Sequence, residues 1–246
     1  MDKKLAEAIK DHFRVNFADV ISSKLKKGHK LSSFKINPFA ITALASGIMG
    51  QATPENVAKA LLYPRVFGTS VTTTFGDMMQ RLCTQHLGAH GSSTPGMDIE
   101  FDDKKDGARI VMQLKAGPNT LNKGDVKPIL DEMQSAHRLL IQNRAVNIPT
   151  FAIGITYGTL DQISGHYKKI HTASLGHQPH IPIYIGKDFW ERLTGDTEFY
   201  DEMIGIVAEL FREEDYSKLF AQDVANLAKE IEQKCTVKGK FDLGRL

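Results

Sequence analysis

Apolar and polar residues alternate in two short stretches near the middle of the chain, a pattern that is typical of β-strands. The first stretch, MDIEF, ends at Phe101, and the second, ARIVMQLK, begins at Ala108. Two later runs, IPTFAIGITYG and IPIYIG, are short and apolar and are bounded by proline or glycine, as buried strands are. The pattern therefore predicts four strands of one central sheet.

The chain on both sides of these strands carries apolar residues at every third or fourth position, which indicates amphipathic helices. This spacing predicts a helix over residues 2–26, helices that open at Pro38 and Pro54, and a helix from Ser70 to Leu87. A further helix is expected between the second and third strands, and three more at the end of the chain. The run from Gly165 to His180 lacks such a period and is predicted to be a loop.

Strands in the middle and helices around them indicate an α/β fold, with a central mixed sheet flanked by helices and with helical additions at both ends. The 246 residues, of which 41% are hydrophobic, suffice for one large core. We expect a single domain over residues 1–246. Its parts are a mainly helical segment at 1–90, the catalytic sheet core at 91–186 and a helical segment at 187–246.

The overall charge is nearly balanced, with 31 Lys and Arg against 29 Asp and Glu, so any binding site for a polyanion must be a local one. The two cysteines, Cys83 and Cys235, lie far apart, which argues against both a disulfide framework and a thiolate zinc site. Neither a signal-peptide pattern nor a membrane-length apolar run occurs. We therefore expect a cytoplasmic protein without a membrane partner.

The alternation places polar side chains on matching faces of the two arms of a hairpin. If KKDG forms a four-residue loop, Asp103 pairs with Ala108, and the same register places Asp98 opposite Gln113. Lys115 follows Gln113 on the same face of its strand. We therefore expect Asp98, Gln113 and Lys115 to cluster at one end of the hairpin.

A carboxylate, an amide oxygen and a lysine at a strand end suit magnesium-dependent cleavage of a phosphodiester. Mg²⁺ prefers oxygen ligands, so Asp98 and Gln113 are the predicted metal ligands. The ammonium group of Lys115 would offset the charge that develops in the transition state or orient the attacking water. On alternation alone, a half-exposed strand with its polar side in water is the simpler interpretation.

Two segments combine polar and basic residues in a way that suits contact with nucleic acid. The first, AGPNTLNKGD, follows Lys115 directly, and the second, GHYKKIHTASLGHQPH, lies between the last two predicted strands. The predicted DNA contacts in these segments are Asn119, Thr120, Asn122, Lys123, His166, Tyr167, Lys168, Lys169, His171 and Gln178. A solvated loop is the alternative interpretation for any one of them.

Asp98, fourteen intervening residues and then Gln113-Leu114-Lys115 resemble the core of the PD-(D/E)XK nuclease superfamily. In that core a hairpin carries an aspartate and a (D/E)-X-K tripeptide before a helix. The strings QLKAGPNTLNKGDV and IPIYIGKDFWERLTGD are similar, more narrowly, to type II restriction endonucleases of this superfamily. The resemblance extends over roughly residues 90 to 210.

The chain departs from the pattern of that superfamily at two places. Gly96 and Met97 separate Pro95 from Asp98, and Gln113 stands where a second acid is more usual. The amide oxygen can still bind a metal or orient a water molecule, but it carries no charge. Glu100 on the same strand face, or Glu55 near the start of an upstream helix, would supply the missing charge. A first-turn acid that complements the helix dipole is the simpler interpretation of Glu55.

The resemblance implies a sequence-specific double-strand DNA endonuclease that uses Mg²⁺ and acts as a homodimer on a palindromic or nearly palindromic site. We expect the N-terminal helices to form the dimer contact. A structure-selective or repair nuclease of the same superfamily is one alternative. A DNA-binding protein without catalytic activity is another, because Gln113 replaces an acid.

Overall fold

A computed structural model describes residues 1–143, 148–176, 178–213 and 215–246. The helices are α1 (Lys3–Phe13), α2 (Asp19–Lys27), α3 (Pro38–Ala43), α4 (Pro54–Tyr63), α5 (Val71–His86), α6 (Lys123–Gln142), α7 (Gly165–His171), α8 (Lys187–Thr194), α9 (Phe199–Glu213) and α10 (Tyr216–Cys235). The strands are β1 (His90–Gly91), β2 (Ile99–Asp102), β3 (Arg109–Lys115), β4 (Thr150–Ile155), β5 (Ile183–Ile185), β6 (Thr236–Val237) and β7 (Lys240–Phe241). Short π-helical segments follow α1, α3 and α4 at Arg14–Ala18, Leu44–Ile48 and Pro64–Ser70.

The helix starts that the sequence predicts are confirmed, and their caps show why they lie where they do. The side chain of Asn37 accepts the N–H of Phe39 at 3.1 Å, immediately before the first-turn Pro38 of α3. Thr53 caps α4 in the same way. Each cap satisfies a backbone donor that the first turn of a helix leaves without a partner.

The expected mixed sheet is confirmed: five strands run in the order β1-β2-β3-β4-β5. β2 is antiparallel to both of its neighbours, β1 and β3, whereas β3, β4 and β5 are parallel. The edge strand β1 was not predicted, because two residues are too few to show an alternating pattern. The second sheet, formed by β6 and β7, was missed for the same reason.

The predicted register of the β2–β3 hairpin is confirmed. At the turn, the N–H of Asp103 donates to the carbonyl oxygen of Ala108 at 2.9 Å. The pairing continues without a shift up to Ile99 and Met112. Just before β2, the N–H of Asp98 also donates to the carbonyl of Met112, at 2.9 Å, so Asp98 lies beside β3 next to Gln113. A regular pair of Asp98 with Gln113 would extend this register by one residue and stays a prediction.

The chain divides into two compact units, and the first of them contains the five-stranded sheet. This unit comprises Met1–His12 and Phe75–Val207. Its main apolar cluster joins α6 and α7 to one face of β3, β4 and β5, and its members include Val111, Ile129, Met133, Phe151, Ile153, Ile155, Tyr167, Ile170 and Ile183. Because Val111 and Gln113 point to the same face of β3, the face that α6 covers is also the one that carries Gln113.

The second unit comprises Phe13–Thr74 and Ala208–Leu246, and it is mainly helical. Its core forms where α4 packs against α10, through residues that include Val57, Leu61, Leu62, Val224, Leu227 and Ile231. This division does not test the expectation of a single domain over residues 1–246, which stays a prediction.

The prediction that Gly165–His180 is a loop was wrong, because its first residues form α7. Tyr167 and Ile170, three residues apart, are fully buried, so the helix does have an apolar face. Two apolar residues in one short helix are too few to reveal the period beside so many basic neighbours. His177, in the same run, lies outside the described residues.

The three predicted C-terminal helices are confirmed as α8, α9 and α10. Trp190 on α8 is fully buried, and its indole N–H donates to the carbonyl of Thr156 at 2.8 Å. It therefore belongs to the core at the end of β4. Among the described helices, none is both long and apolar enough to cross a membrane.

Candidate active site

The carboxylate of Asp98 is fixed by the backbone of the neighbouring strand. The N–H of Leu114 donates to Oδ2 of Asp98 at 2.7 Å, so the side chain occupies the place in the ladder that a carbonyl would normally take. The carbonyl of Asp98 instead accepts the N–H of Ser92 at 3.1 Å and the side-chain amide of Gln80 at 3.4 Å. The bond from Leu114 ties the carboxylate to β3, the strand that contains the candidate catalytic residues Gln113 and Lys115.

The surroundings of Asp98 act on its pKa in opposite directions. Burial raises the pKa, whereas the hydrogen bond from Leu114 and the positive charge of Lys115 lower it, and the net effect is a pKa above the usual value. The charge of Lys115 is therefore close enough to stabilise the carboxylate. A divalent cation at this position would favour the ionised form further.

Gln113 carries a buried amide oxygen without a partner. The side chain is only 9% exposed, and its Nε2 donates to the carbonyl of Gly96 at 3.2 Å. That bond orients the amide and leaves Oε1, which is buried and accepts no hydrogen bond in the described part of the chain. A buried polar atom without a partner is unfavourable, so this oxygen is suited to receive a ligand or a water molecule.

Lys115 lies at the last position of β3, half-buried, next to the carboxyl end of the parallel strand β4. Its carbonyl accepts the N–H of Thr156 at 3.1 Å, which holds the backbone at the strand end. Within the described ranges its ammonium group forms no ion pair with a carboxylate, so the charge remains available to an anionic substrate.

The residues at this end of the hairpin suit a hard divalent cation. Asp98 offers a carboxylate and Gln113 an amide oxygen, and Mg²⁺ prefers oxygen ligands and retains several waters. No group of three or more His, Cys, Asp or Glu side chains that could hold a metal occurs among the described residues. A metal role for Asp98 and Gln113 therefore stays a prediction, in which water and substrate would complete the shell of the cation.

Glu100, one candidate for the missing charge, is engaged in hydrogen bonds through both of its oxygens. Oε2 accepts a guanidinium N–H of Arg109 at 2.7 Å, and Oε1 accepts the hydroxyl of Ser92 at 2.7 Å. Burial raises the pKa of Glu100, but the bonds from Arg109 and Ser92 outweigh it, so the pKa lies below its usual value. In this structure the carboxylate of Glu100 links Arg109 on β3 to Ser92, the residue that follows β1.

Glu55, the other candidate, lies in the first turn of α4 in the helical unit. Its side chain is exposed and forms an ion pair with Lys59 at 2.6 Å, one helical turn further along. A first-turn acid with such a partner stabilises the helix. A catalytic role for Glu55 stays a prediction.

The loop that follows Lys115 is held in place by its carbonyl groups. The hydroxyl of Thr156 donates to Ala116 at 2.8 Å, and the hydroxyl of Tyr167 donates to Gly117 at 2.9 Å. The N–H of Ser164 donates to the next carbonyl along the loop at 3.1 Å. These contacts bring together the two segments in which the sequence predicts DNA contacts.

Most of the predicted DNA contacts lie at the surface of the protein. The exposed ones are Asn119, Thr120, Asn122, Lys123, Lys168, Lys169 and His171. Among these, Asn122 also caps α6, since its side chain accepts the N–H of Gly124 at 2.8 Å. His166 is half-buried, and its Nδ1 is buried without a hydrogen-bond partner among the described atoms.

Tyr167 and Gln178 require a correction, because both side chains are buried. Tyr167 is fully buried and uses its hydroxyl on the loop and on Thr120, at 2.8 Å. Gln178 exchanges two hydrogen bonds with the backbone of Phe151, at 2.9 and 3.1 Å, as a neighbouring strand would. Both side chains lie beneath the surface that the sequence predicts to contact DNA, where a base edge would not reach them.

Two residues that the sequence analysis did not identify lie beside the exposed end of this loop. Tyr157 and Gln162 line a cavity of about 370 Å³ together with Pro118, Asn119 and Thr120. Tyr157 is 46% exposed and lies two residues after the end of β4, at the sheet edge where β3 ends. The carboxyl ends of parallel strands share one edge, and this rule would have identified Tyr157 from the sequence.

The helix-flanked mixed sheet, with its antiparallel hairpin leading into a parallel strand pair, defines a restriction-endonuclease-like α/β core. The family model described as type II restriction endonuclease EcoO109I matches residues 35–215, about three quarters of the chain. The chain therefore belongs to this family, and the resemblance seen in the sequence is confirmed. No curated protein sequence matches the chain significantly.

Proposed function

We propose that this restriction endonuclease hydrolyses both strands of double-stranded DNA at a specific sequence, with Mg²⁺ as cofactor and as a homodimer. Membership of the family supports nuclease activity. The observation that carries the proposal is the fixed carboxylate of Asp98 next to the free, buried amide oxygen of Gln113. Gln113 and Lys115 share one face of β3, and Leu114 between them binds the carboxylate of Asp98.

Each of the three residues has a distinct task in the proposed reaction. Asp98 and Gln113 would hold the metal through oxygen atoms. Mg²⁺ held there would polarise a phosphoryl oxygen and lower the pKa of a nearby water. In the proposed hydrolysis the water would lose a proton to solvent as its oxygen bonds to phosphorus, and one P–O ester bond would break, with the leaving oxygen taking up a proton from solvent. The ammonium group of Lys115 would offset the negative charge that builds up on the phosphate.

The proposed DNA-contacting surface combines positive charge with polar side chains. Lys168 and Lys169 are exposed on α7 and would neutralise phosphates. Asn119 and Tyr157, which face the cavity after β3, would lie against the bases or the backbone. The buried hydroxyl of Tyr167 supports this surface because it fixes the loop that carries Asn119.

A homodimer is proposed because a two-fold related pair of active sites can cut both strands of a two-fold related DNA site. The segment that contains α3 exposes large apolar side chains in the helical unit. Phe39 is 88% exposed and Ile48 is 75% exposed. Burial of such side chains is favourable, so we propose that this segment contributes to the contact between the two copies.

The direct test is digestion of plasmid DNA of known sequence with Mg²⁺, with fragment ends read by sequencing. The wild-type protein should give discrete fragments with one common end sequence, and EDTA should stop the reaction. Asp98→Asn and Lys115→Ala should each lower the rate by at least about 10²-fold. Asp102→Asn is the matched control for the charge change, because Asp102 is exposed at the far end of β2.

The results also separate the alternatives. Cleavage without discrete fragments on intact plasmid, but with products from branched DNA, would indicate a structure-selective nuclease. Retarded DNA without products at any concentration of divalent metal would indicate a DNA-binding protein without catalytic activity. Wild-type rates in the Asp98→Asn protein would refute the proposed site.

A further inference from the structure

Glu132, on α6, packs directly against Gly96, two residues before Asp98. A Cβ atom added at Gly96 would collide with the carboxylate and with the Cβ atom of Glu132. Gly96 also has a φ of +79°, which residues other than glycine rarely adopt. The backbone at Gly96 is therefore shaped for the close approach of an acidic side chain.

Gly96 connects Glu132 to the buried amide of Gln113. The carbonyl of Gly96 accepts Nε2 of Gln113 at 3.2 Å, and the other end of that amide is the oxygen without a partner. Ile129 and Met133, which flank Glu132 along α6, belong to the apolar cluster that packs on the Val111 face of β3. Glu132 thus approaches the hairpin from the face that carries Gln113 and Lys115.

The net charge of the proposed site shows that a second negative charge is missing. Asp98 and Lys115 carry one negative and one positive charge, and Gln113 carries none, so these residues alone would present a neutral site to a dication. A second carboxylate would give the site a net negative charge and so raise its affinity for a divalent cation.

Glu132 differs from the other nearby acids in its hydrogen bonds and ion pairs. Both oxygens of Glu100 accept hydrogen bonds from neighbouring side chains. On α6 itself, Asp125 closes the capping box with Asn122, and Asp131 pairs with Lys127 at 2.5 Å. The carboxylate of Glu132 is exposed and has no hydrogen bond or ion pair among the described residues.

We infer that Glu132 supplies the negative charge that Gln113 lacks and acts as the second carboxylate of the divalent-cation site. This inference rests on the proposed function, since it assumes that Asp98 and Gln113 bind a metal. In this arrangement Oε1 of Gln113 faces the cation. Nε2 of the same amide donates to the carbonyl of Gly96 and so holds Gly96 against the carboxylate of Glu132.

The test is the binding of Mn²⁺ to the full-length, metal-free protein, followed by electron paramagnetic resonance. Glu132→Gln should weaken Mn²⁺ binding at least tenfold. Asp131→Asn, an equal change of charge at the neighbouring helix position, should change the binding less than twofold. The double variant Gln113→Glu/Glu132→Gln should regain most of the lost affinity, a rescue that a purely structural role of Glu132 would not produce.

The Mg²⁺ dependence of DNA cleavage gives the second readout. Glu132→Gln should shift the half-maximal Mg²⁺ concentration upward by about the factor seen with Mn²⁺. If the wild-type protein cuts DNA and Glu132→Gln binds Mn²⁺ as the wild type does, the inference fails while the proposed function stands. If the wild-type protein neither binds Mn²⁺ nor cuts DNA, both fail.

Discussion

The backbone N–H of Leu114 donates to the carboxylate of Asp98 across 2.7 Å, so a side chain of one strand completes the ladder of the next. The position of Asp98 relative to Gln113 and Lys115 is thus set by strand pairing. The proposed site would need little reorganisation when a cation binds, because the sheet holds the side chains that would coordinate it.

Replacement of Gln113 tests the function of its free oxygen. Gln113→Ala should weaken metal binding by about 10- to 100-fold, as loss of an oxygen ligand or of a group that orients one does. Gln113→Glu should retain cleavage and lower the Mg²⁺ concentration required, because it adds a charge at the same place. Both are measured as cleavage rate against Mg²⁺ concentration, with Gln134→Ala on the exposed side of α6 as control. An unchanged Mg²⁺ dependence in Gln113→Ala would exclude a role for Oε1.

Two glycines of the same hairpin region allow the contact with Glu132 to be separated from backbone strain. Gly96 and Gly107 have φ values of +79° and +74°, but only at Gly96 would a Cβ atom meet another residue. Gly107→Ala should cost about 1–2 kcal/mol from the left-handed conformation alone. Gly96→Ala should cost at least about 1 kcal/mol more, because the carboxylate of Glu132 must move. The measurement is urea unfolding, and equal losses in the two variants would argue against the contact.

Removal of the hydroxyl of Tyr167 should loosen the loop after Lys115. Tyr167→Phe leaves the carbonyl of Gly117 without this donor and should destabilise the protein by about 1–2 kcal/mol at neutral pH. The expected functional effect is weaker DNA binding, because Asn119 and Thr120 lie on the loop. Fluorescence anisotropy with labelled DNA measures it.

The raised pKa of Tyr167 also leads us to expect that the stability of the protein falls at alkaline pH. Burial raises its pKa from 10.0 to about 12, so the unfolded chain loses this proton at a lower pH than the folded protein does. Stability from the neutral hydroxyl is present below pH 10 and is lost as the pH rises from 10 to about 12. The wild type should therefore lose stability over this window more steeply than Tyr167→Phe. Parallel curves for the two proteins would contradict the assignment.

Lys168 and Lys169 should contribute to DNA binding through phosphate contacts. The double replacement by alanine should reduce the slope of log K against log salt by about 2, since each phosphate contact contributes about 0.9. Lys3→Ala/Lys4→Ala is the matched control, an adjacent exposed pair on α1. Equal slopes for the two double variants would remove α7 from the DNA-contacting surface.

The exposed apolar residues near α3 provide a test of the dimer. Phe39→Ser/Ile48→Ser should raise the dissociation constant of the dimer at least tenfold, because two large apolar side chains would no longer be buried in it. Leu160→Ser, which removes a side chain that is 58% exposed in the sheet-containing unit, should leave association unchanged. Sedimentation velocity measures both. A wild-type protein that stays monomeric with and without DNA would refute the homodimer.

The sequence predicts most of the sheet because alternation and turn length together determine the register. Asp103 and Ala108 close the turn, and every pair beyond them follows, up to Ile99 and Met112 next to Asp98. The sequence does not reveal which side chains of a short helix such as α7 are buried. Tyr167 looks like a DNA contact among basic neighbours, yet its side chain has 0% exposure.

Glu132 escaped prediction for a different reason. It lies seventeen residues after Lys115 on an exposed helix position, and no periodicity distinguishes it from other surface acids. Its relation to Asp98 comes from the packing of α6 over the hairpin and from the conformation of Gly96. Both are tertiary features that no local pattern records.

The turn of the hairpin, Lys104–Gly107, lies at the opposite end from Asp98, and arginine and acidic groups of α8 hold it through Asp103 and Lys105. Point mutations there, apart from replacement of Gly107 with its positive φ, should be tolerated as the sequence diverges over time. An insertion or deletion of one residue is different, because it would turn Asp98 and Gln113 toward opposite faces of the sheet. The length of an exposed turn is thus inherited under the same constraint as the identity of the proposed catalytic aspartate.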